Sequence, residues 1–269
     1  MSDTVPVFGP DQPSVRRVDL DRPWTWLGAG WADLRRAPKV SLAYGGILVA
    51  LSLAIALALW LGGVFYLLLP MTAGFAFLAP LLAVGLYETS RRLAAGEEVT
   101  LARALLAFRR NGGQLALLGL VLALLHLVWI RIATLLYALF FHGQAPGLPQ
   151  LLDTMLFSPA GLPFLIVGSA IGFVLAALAF AIAAVSIPML VDRPVNVFAA
   201  IATSFVAVQQ NLRPMALWAA LIAVFTALAL IPFFLGLAVV LPLIGHATWH
   251  AYRDLVAGDG AQASDAAAR

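Results

Sequence analysis

VSLAYGGILVALSLAIALALWLGGVFYLLLPMTAGFAFLAPLLAVGLY, which runs from Val40 to Tyr87, decides the fold because it contains no Asp, Glu, Lys or Arg. One helix needs about 20 apolar residues to cross a bilayer, so a stretch of 48 residues predicts two membrane-spanning helices. Gly62-Gly63 is the natural break between them, because glycine punctuates helical patterns.

The composition extends this prediction to the whole chain. Hydrophobic residues make up 62% of the 269 residues and charged residues only 11%, whereas a soluble domain carries about 25% charged residues. Mean hydropathy is +0.97. A water-soluble fold could not hide so much apolar surface, but a lipid bilayer can solvate it. The chain has no cysteine, which excludes disulfides, thiolate metal sites and cysteine nucleophiles.

Further apolar stretches complete a six-span fold. Pro214–Tyr252 is again free of charged residues and is long enough for two helices that meet near Pro232-Phe233. We place the six spans at 41–61, 65–88, 113–141, 162–189, 214–232 and 234–252. The predicted fold is therefore all-α, a polytopic membrane protein whose six transmembrane helices form three hairpins.

The basic residues predict the orientation of these spans. In a six-span arrangement, 15 of the 16 basic residues lie on one side of the membrane. The positive-inside rule makes that side cytoplasmic, so we expect both termini in the cytoplasm and the chain in a bacterial inner membrane. Basic residues at span ends indicate membrane orientation, and no nucleic-acid partner is expected.

Arg131 is the exception to this distribution. It follows Gly113 by 18 residues, or roughly 27 Å along a helix, which places it near the outer interface. Two interpretations stay open. Arg131 is an interfacial anchor beside Trp129 and Tyr137, or it is a binding residue that faces the outer leaflet or pairs with Asp153.

Amphipathic segments are predicted along the cytoplasmic surface. Residues 23–38 form an interfacial helix with an apolar stripe, and Asp33 lies off this stripe. The stripe consists of Trp24, Leu27, Trp31 and Leu34. The helix is a lipid anchor or, through Trp31, a docking surface for a partner. Residues 97–110 and 195–210 are further amphipathic segments.

These segments divide the chain into four parts. Residues 39–256 form the six-span membrane domain, and residues 23–38 form the interfacial helix that precedes it. We expect residues 1–22 to be a mobile N-terminal segment, and the Ala- and Gly-rich residues 257–269 to be a disordered tail.

A weak internal repeat relates two of the predicted hairpins. Pro80–Glu97 aligns without gaps with Pro242–Asp259, so that Glu88 faces His250. Pro188 adds a partial third copy, and each hairpin then has a proline in its returning helix. Such prolines kink a helix, either for packing alone or to open a cytoplasmic crevice.

His246 and His250 are the candidate metal ligands. Side chains at positions i and i+4 share one helix face, so two imidazoles can converge on a divalent metal or haem iron. Glu88 completes a two-His, one-carboxylate set. Alternatively, the histidines bond to headgroups, to carbonyls freed by Pro242, or to Glu88. No other cofactor is predicted, and without a Walker loop, HExxH or GxSxG motif no enzyme is expected.

Four sequence blocks carry a family resemblance. They are PWTWLGAGWADLRRAPKVSLAYG (23–45), LAPLLAVGLYETSRRLAAGE (78–97), SIPMLVDRPV (186–195) and PLIGHATWHAYRDL (242–255). Together they resemble domain of unknown function 2189, a bacterial family of predicted integral membrane proteins, over about residues 20–256. The resemblance implies a multi-span inner-membrane protein without an established activity. Some relatives are labelled as cytochrome c oxidase subunits, but four histidines are too few for a catalytic oxidase subunit.

Three functional hypotheses follow from these features. The leading one is a non-enzymatic accessory or assembly protein of a membrane complex, including a respiratory complex, because interfacial helices can dock other subunits. The second is a transporter or a lipid- or amphiphile-handling protein, because proline-broken helices often surround substrate sites. The third is a metal- or haem-binding protein that uses His246 and His250. The expected partners are the lipid bilayer and other membrane-protein subunits.

Overall fold

A computed structural model of the protein describes residues 14–141, 153 and 157–256. The described residues are helical apart from short connections, which confirms the predicted all-α class. The predicted mobile segment 1–22 is described only from residue 14 onwards, and the predicted disordered tail 257–269 lies outside the described residues.

The α-helices are numbered here in chain order. Those that lie wholly in the described residues are α1 (Arg22–Arg36), α2 (Pro38–Leu61), α3 (Leu68–Leu82), α4 (Val84–Ala95), α5 (Leu101–Leu105), α6 (Gly112–Phe141), α7 (Gly161–Ala183), α8 (Ser186–Asp192), α9 (Val197–Gln210), α10 (Leu212–Leu230) and α11 (Leu237–Leu255). Two 3-10 turns lie at Phe65–Leu67 and Ala107–Asn111.

Four helical stretches are long and apolar enough to cross a membrane. They are Pro38–Leu61, Ala107–Phe141, Gly161–Asp192 and Leu212–Leu230, and each contains one of the predicted spans in whole or in large part. The other two predicted spans are not among these stretches, so the described residues bear out four of the six predicted spans by length and apolarity. Residues 65–88 comprise a 3-10 turn, the 15-residue helix α3 and the start of α4, and residues 234–252 lie mainly in α11.

The turns between the predicted helix pairs occur where glycine and proline suggested them. Helix α2 ends at Leu61, and Gly63 has a φ of 69°, a left-handed conformation that favours glycine. Helix α10 ends at Leu230, and Phe233 and Phe234 in the following turn have φ values of 50° and 68°. Non-glycine residues rarely adopt this conformation, so the second turn is the more strained.

The three aligned prolines affect their helices differently. The helix is interrupted between α7 and α8, at Ala184 and Val185. Ala184 lies four residues before Pro188, and a proline ring clashes with the carbonyl group four residues earlier in a helix. A break also follows Pro80, at Ala83. Helix α11 continues through Pro242. The helix is thus interrupted near Pro80 and Pro188 but not at Pro242.

The connecting segments meet at one end of the molecule, which we call the basic end. There the Arg36 guanidinium donates a hydrogen bond to the carbonyl oxygen of Leu93 at 3.4 Å. The Arg110 guanidinium donates one to the carbonyl oxygen of Val191 at 3.0 Å. These contacts join the end of α1 to the end of α4, and the 3-10 turn before α6 to the end of α8.

The best-packed core lies near the basic end. Large side chains that are almost completely buried come from α1, α4, α6, α8, α10 and the second half of α11. They include Trp26, Trp218, Trp249, Tyr87, Tyr252, Leu86, Leu118 and Met189. Helices α2, α6 and α7 instead expose many Leu, Ile and Phe side chains, as expected for surfaces that contact lipid.

Candidate functional site

Five polar side chains from four helices form one hydrogen-bonded cluster, which we call the Asp33 network. Asp33 of α1 accepts hydrogen bonds at Oδ2 from Ser90 Oγ of α4 and from His250 Nε2 of α11, both at 2.8 Å. His246, one turn earlier in α11, joins the same cluster. Its Nδ1 lies 2.8 Å from Ser90 Oγ, and its Nε2 lies 2.9 Å from Ser41 Oγ of α2.

The hydrogen-bond directions in this network are determined by its single carboxylate. Ser90 has one hydroxyl proton and donates it to Asp33, so Ser90 must accept the Nδ1–H of His246. Nε2 of a neutral His246 is then an acceptor, and Ser41 donates to it. Every proton in the chain from Ser41 to Asp33 therefore points towards the carboxylate.

Asp33 is buried, with 4% of its surface exposed. Desolvation would raise the pKa of its carboxyl group, but hydrogen bonds from His250 and Ser90 outweigh desolvation and lower the pKa below its ordinary value. The nearest arginine is Arg36, whose Nη1 lies 3.7 Å from Oδ1. Asp33 is consequently a buried carboxylate that neighbouring donors keep ionised.

The close packing of α1 on α11 places Asp33 in this buried position. A Cβ atom on Gly30 would lie 2.6 Å from the backbone nitrogen of Ala247, so only glycine allows α1 to approach α11 this closely. Trp26 packs one turn earlier and donates from Nε1 to Oδ2 of Asp254 at 2.9 Å. Residues 26, 30 and 33 share one helix face, which is the face that α1 buries.

The residues of the predicted apolar stripe of α1 have different surroundings. Leu34 is buried, but Trp24 and Trp31 are 57% and 44% exposed. Asp33, which lies off this stripe, is buried against α4 and α11. The helix packs on protein through the face of Trp26 and Asp33, so the two exposed tryptophans are displayed at the surface.

Glu88 belongs to a separate ion-pair cluster. Its carboxylate is 2% exposed and accepts hydrogen bonds from Arg91 at 2.8 Å and from Arg92 at 2.6 Å. Arg110 lies 3.8 Å away. Glu97 also pairs with Arg91 and Arg92, at 3.0 and 3.1 Å. We call these five residues the Glu88 cluster, and its arginines neutralise the buried carboxylate.

The structure does not bring the predicted metal ligands together. His246 and His250 lie near each other on α11, as their spacing predicted, but their partners are Ser41, Ser90 and Asp33. The carboxylate aligned with them by the internal repeat pairs with arginines instead. Within the described ranges, no group of three or more His, Cys, Asp and Glu side chains could hold a metal ion.

Arg131 lies on the exposed surface of α6, and Asp153 is exposed as well. These two residues, both among those that the structure describes, make no ion pair with each other. Trp129, two residues before Arg131, is buried and packs against Gly172 of α7. The placement of Arg131 is thus compatible with an interfacial anchor.

Sequence reasoning missed Asp33, Ser41 and Ser90 as partners of the histidines. One signal was present in the chain. Gly30 lies three residues before Asp33 on the same helix face, and a glycine within a helix often marks a close approach to another backbone. Nothing local identified the two serines, which come from other helices.

Comparison with known proteins supports the family resemblance. The model of a family described as "Predicted integral membrane protein (DUF2189)" matches residues 68–192. The resemblance is therefore confirmed over α3 to α8, and the blocks at 23–45 and 242–255 lie outside the match. No curated protein and no solved structure matches the chain.

Proposed function

We propose that this chain, whose residues 68–192 match a family of predicted integral membrane proteins, is a non-enzymatic accessory or assembly protein of a membrane complex. It would cross a bacterial inner membrane six times, with both termini in the cytoplasm. The proposal comprises a topology and a role, and different observations support each.

The contacts at the basic end support the six-span topology. Residues 93–99 lie beside the start of α2, although α2 ends about 36 Å away at 1.5 Å per residue. The chain must therefore run back along α2 between residues 62 and 93. In the same way, Asn211 before α10 bonds to the backbone of Arg16, which bonds to Leu255 at the end of α11. Helices α10 and α11 thus return to the basic end.

The main support for the proposed role is a pair of exposed tryptophans on a helix that is tightly packed against the rest of the protein. Helix α1 is fixed by the Asp33–His250 hydrogen bond, by the Gly30 contact and by the pairing of Arg22 with Asp254 at 2.8 Å. Trp24 and Trp31, seven residues apart, lie on its exposed surface. Tryptophan is strongly enriched among the residues that dominate protein interfaces.

The polar clusters support the absence of catalytic activity. Both ring nitrogens of His246 contact hydroxyl groups of the protein, and Ser41 and His246 are completely buried. The Glu88 carboxylate is neutralised by arginines. Groups that are engaged and buried in this way stabilise helix packing and are not positioned to meet a substrate.

Site-specific photo-crosslinking in intact membranes tests the role. A photoreactive amino acid replaces Trp31 and, as a lipid-facing control, Phe173 of α7, which is 74% exposed. We expect one discrete protein adduct from position 31, identified by mass spectrometry, and only lipid adducts from position 173. The same partner should co-purify with the native chain and be lost from the Trp24→Ala, Trp31→Ala double variant. Lipid adducts alone at position 31 would overturn the proposal and leave α1 as a lipid anchor.

A further inference from the structure

A cleft of about 450 Å³ opens at the junction of α1 and α2, near the basic end. One wall is the continuous segment Arg36–Val40, which contains the last residue of α1 and the first residues of α2. The other wall comes from the end of α4 and the residues after it, namely Leu93, Glu97 and Val99. The cleft is thus lined by both cationic and apolar side chains.

The electrostatics of this cleft favour an anion. The Arg36 side chain is 59% exposed, and its hydrogen bond to the Leu93 carbonyl holds it across the two walls. Lys39 is exposed and forms no ion pair within the described part of the chain. The cleft contains the start of α2 but also the ends of α1 and α4, so the helix dipoles largely offset one another and the two cationic side chains determine its charge.

Glu97 is the acidic residue in the lining, and its charge is already compensated. Its carboxylate accepts hydrogen bonds from Arg91 at 3.0 and 3.1 Å, and the hydrogen bond from Arg91 keeps the pKa of Glu97 below its ordinary value. Arg92 lies 3.1 Å from the same carboxylate. Asp33 lies 3.7 Å from Nη1 of Arg36, but its carboxylate is hydrogen-bonded to Ser90 and His250, so the exposed Arg36 side chain and Lys39 can still face a ligand.

The position of the cleft determines what kind of anion can reach it. Helix α2 is apolar from Val40 onwards, so the cleft lies where a spanning helix enters the headgroup layer. Val40, Ala43 and Ile47 follow one another at spacings of three and four, and so share one face of α2. Ala43 and Ile47 are exposed on that face, which leaves an apolar path from the cleft into the membrane.

We infer that the cleft binds an anionic phospholipid, with its phosphate between Arg36 and Lys39 and an acyl chain along the Val40–Ile47 face of α2. Arginine and lysine are the side chains that proteins use for phosphate, and basic pockets at the ends of spanning helices bind anionic headgroups. The inference needs α2 to span the membrane, but it does not depend on the proposed accessory role.

Native mass spectrometry of the full chain tests this inference. Delipidated protein is mixed with phosphatidylglycerol or with phosphatidylcholine of the same acyl chains. We expect preferential retention of phosphatidylglycerol, and the Arg36→Gln, Lys39→Gln double variant should lower that retention about 25-fold, or roughly fivefold for each cation. The matched control is Arg35→Gln, Arg109→Gln, which removes two exposed cations that do not line the cleft. It should retain phosphatidylglycerol like the native chain.

Three results would overturn the inference. One is equal retention of the two lipids by the native chain, and another is an equal loss in the cleft variant and the control. The third is displacement of phosphatidylglycerol by millimolar inorganic phosphate, which would identify a site for the soluble anion. A thermal unfolding curve for each variant checks that it is folded. If the double variant is not folded, the single variants Arg36→Gln and Lys39→Gln decide the test.

Discussion

His250 donates a hydrogen bond from Nε2 to Oδ2 of Asp33 at 2.8 Å, and this bond joins α11 to α1, the helix that precedes the apolar helix α2. Ser90 donates a second bond to the same oxygen. Three helices are thus held by one carboxylate. The ionised state of Asp33, and not only its shape, should therefore control how firmly α1 is seated.

Replacing Asp33 by Asn should lower the free energy of unfolding by about 1–3 kcal/mol. The amide keeps the size of the side chain, but it removes the charge. It also places N–H donors next to Ser90 and His250, which are themselves hydrogen-bond donors at this site. The measurement is the unfolding midpoint in detergent. Asp19→Asn is the matched control, because Asp19 is exposed, and it should leave the midpoint unchanged. Equal midpoints for the two variants would contradict a structural role for the carboxylate.

The contribution of Asp33 should depend on pH in a defined direction. Its folded-state pKa lies below the ordinary value of 3.8, so the carboxylate binds protons more readily in the unfolded chain. The stabilisation is complete above the ordinary pKa and is lost as the pH falls through the lower folded-state pKa. The midpoints of the native chain and Asp33→Asn, measured from about pH 6 to about pH 2, should converge at the acid end. A constant separation would show that the charge of Asp33 is irrelevant.

Replacing glycine by alanine should have opposite effects on stability at two positions of α1. A methyl group on Gly30 would collide with the Ala247 backbone, whereas nothing lies within 4 Å of a Cβ atom on Gly28. Gly28→Ala should stabilise the helix by about 0.5–1 kcal/mol, because alanine is the better helix former. Gly30→Ala should destabilise the protein, because backbone atoms cannot move aside cheaply.

The unfolding midpoints of both glycine variants check this prediction. Limited proteolysis near residue 20 gives a second measurement, since a displaced α1 exposes its N-terminal connection. Gly30→Ala should be cleaved faster than the native chain, and Gly28→Ala should not. Similar midpoints and similar cleavage for the two variants would show that α1 is not held against α11 as closely as the Gly30–Ala247 contact implies.

The sequence predicted the features of the fold that depend on local composition. Charge-free stretches indicated the long apolar helices, and Gly62-Gly63 and Pro232-Phe233 marked turns that the structure contains. Such signals are local because a bilayer imposes the same length and apolarity on every span. Pro80 indicated a disturbance in residues 65–95, but not the partner of the freed carbonyl of Leu82, which accepts a hydrogen bond from Tyr44 of α2.

The partners of the polar side chains were harder to predict. The internal repeat placed Glu88 opposite His250, but a repeat relates positions along the chain and does not bring them into contact. Arg91 and Arg92, three and four residues after Glu88, were the local indication that its carboxylate would be paired already. The Asp33–His250 contact spans 217 positions, and only the tertiary packing of α1 on α11 creates it.

Glu88→Gln should be among the most destabilising single changes in the described part of the chain. It removes a carboxylate that is 2% exposed and leaves Arg91 and Arg92, which are 14% and 18% exposed, without their main partner. Breaking a buried pair in this way costs about 3–5 kcal/mol. Glu98→Gln is the matched control, because it breaks the exposed pair with Arg103 and should cost less than about 1 kcal/mol. Comparable unfolding free energies for the two variants would contradict the importance of the buried cluster.

The absence of natural cysteine makes the topology directly testable, since each introduced cysteine is the only reporter in the chain. Leu61 and Glu98 are both exposed, and they lie towards opposite ends of α2 because Glu97 and Val99, the neighbours of Glu98, line a cleft with the first residues of α2. On intact cells whose outer membrane has been made permeable, a membrane-impermeant maleimide should label Leu61→Cys but not Glu98→Cys. Glu98→Cys should react only after the inner membrane is opened.

Phe233→Cys distinguishes a complete sixth span from a hairpin that ends inside the bilayer. Phe233 lies in the turn between α10 and α11 and is 54% exposed, but Ala238 of α11 packs beside Gly45, only a few turns into α2. Six complete spans require Phe233→Cys to be labelled from outside, like Leu61→Cys. Labelling from neither side would show that α10 and α11 enter the membrane and return without crossing it. The positive residues would still lie on one side in that case, so this position tests the sixth span independently of the charge distribution.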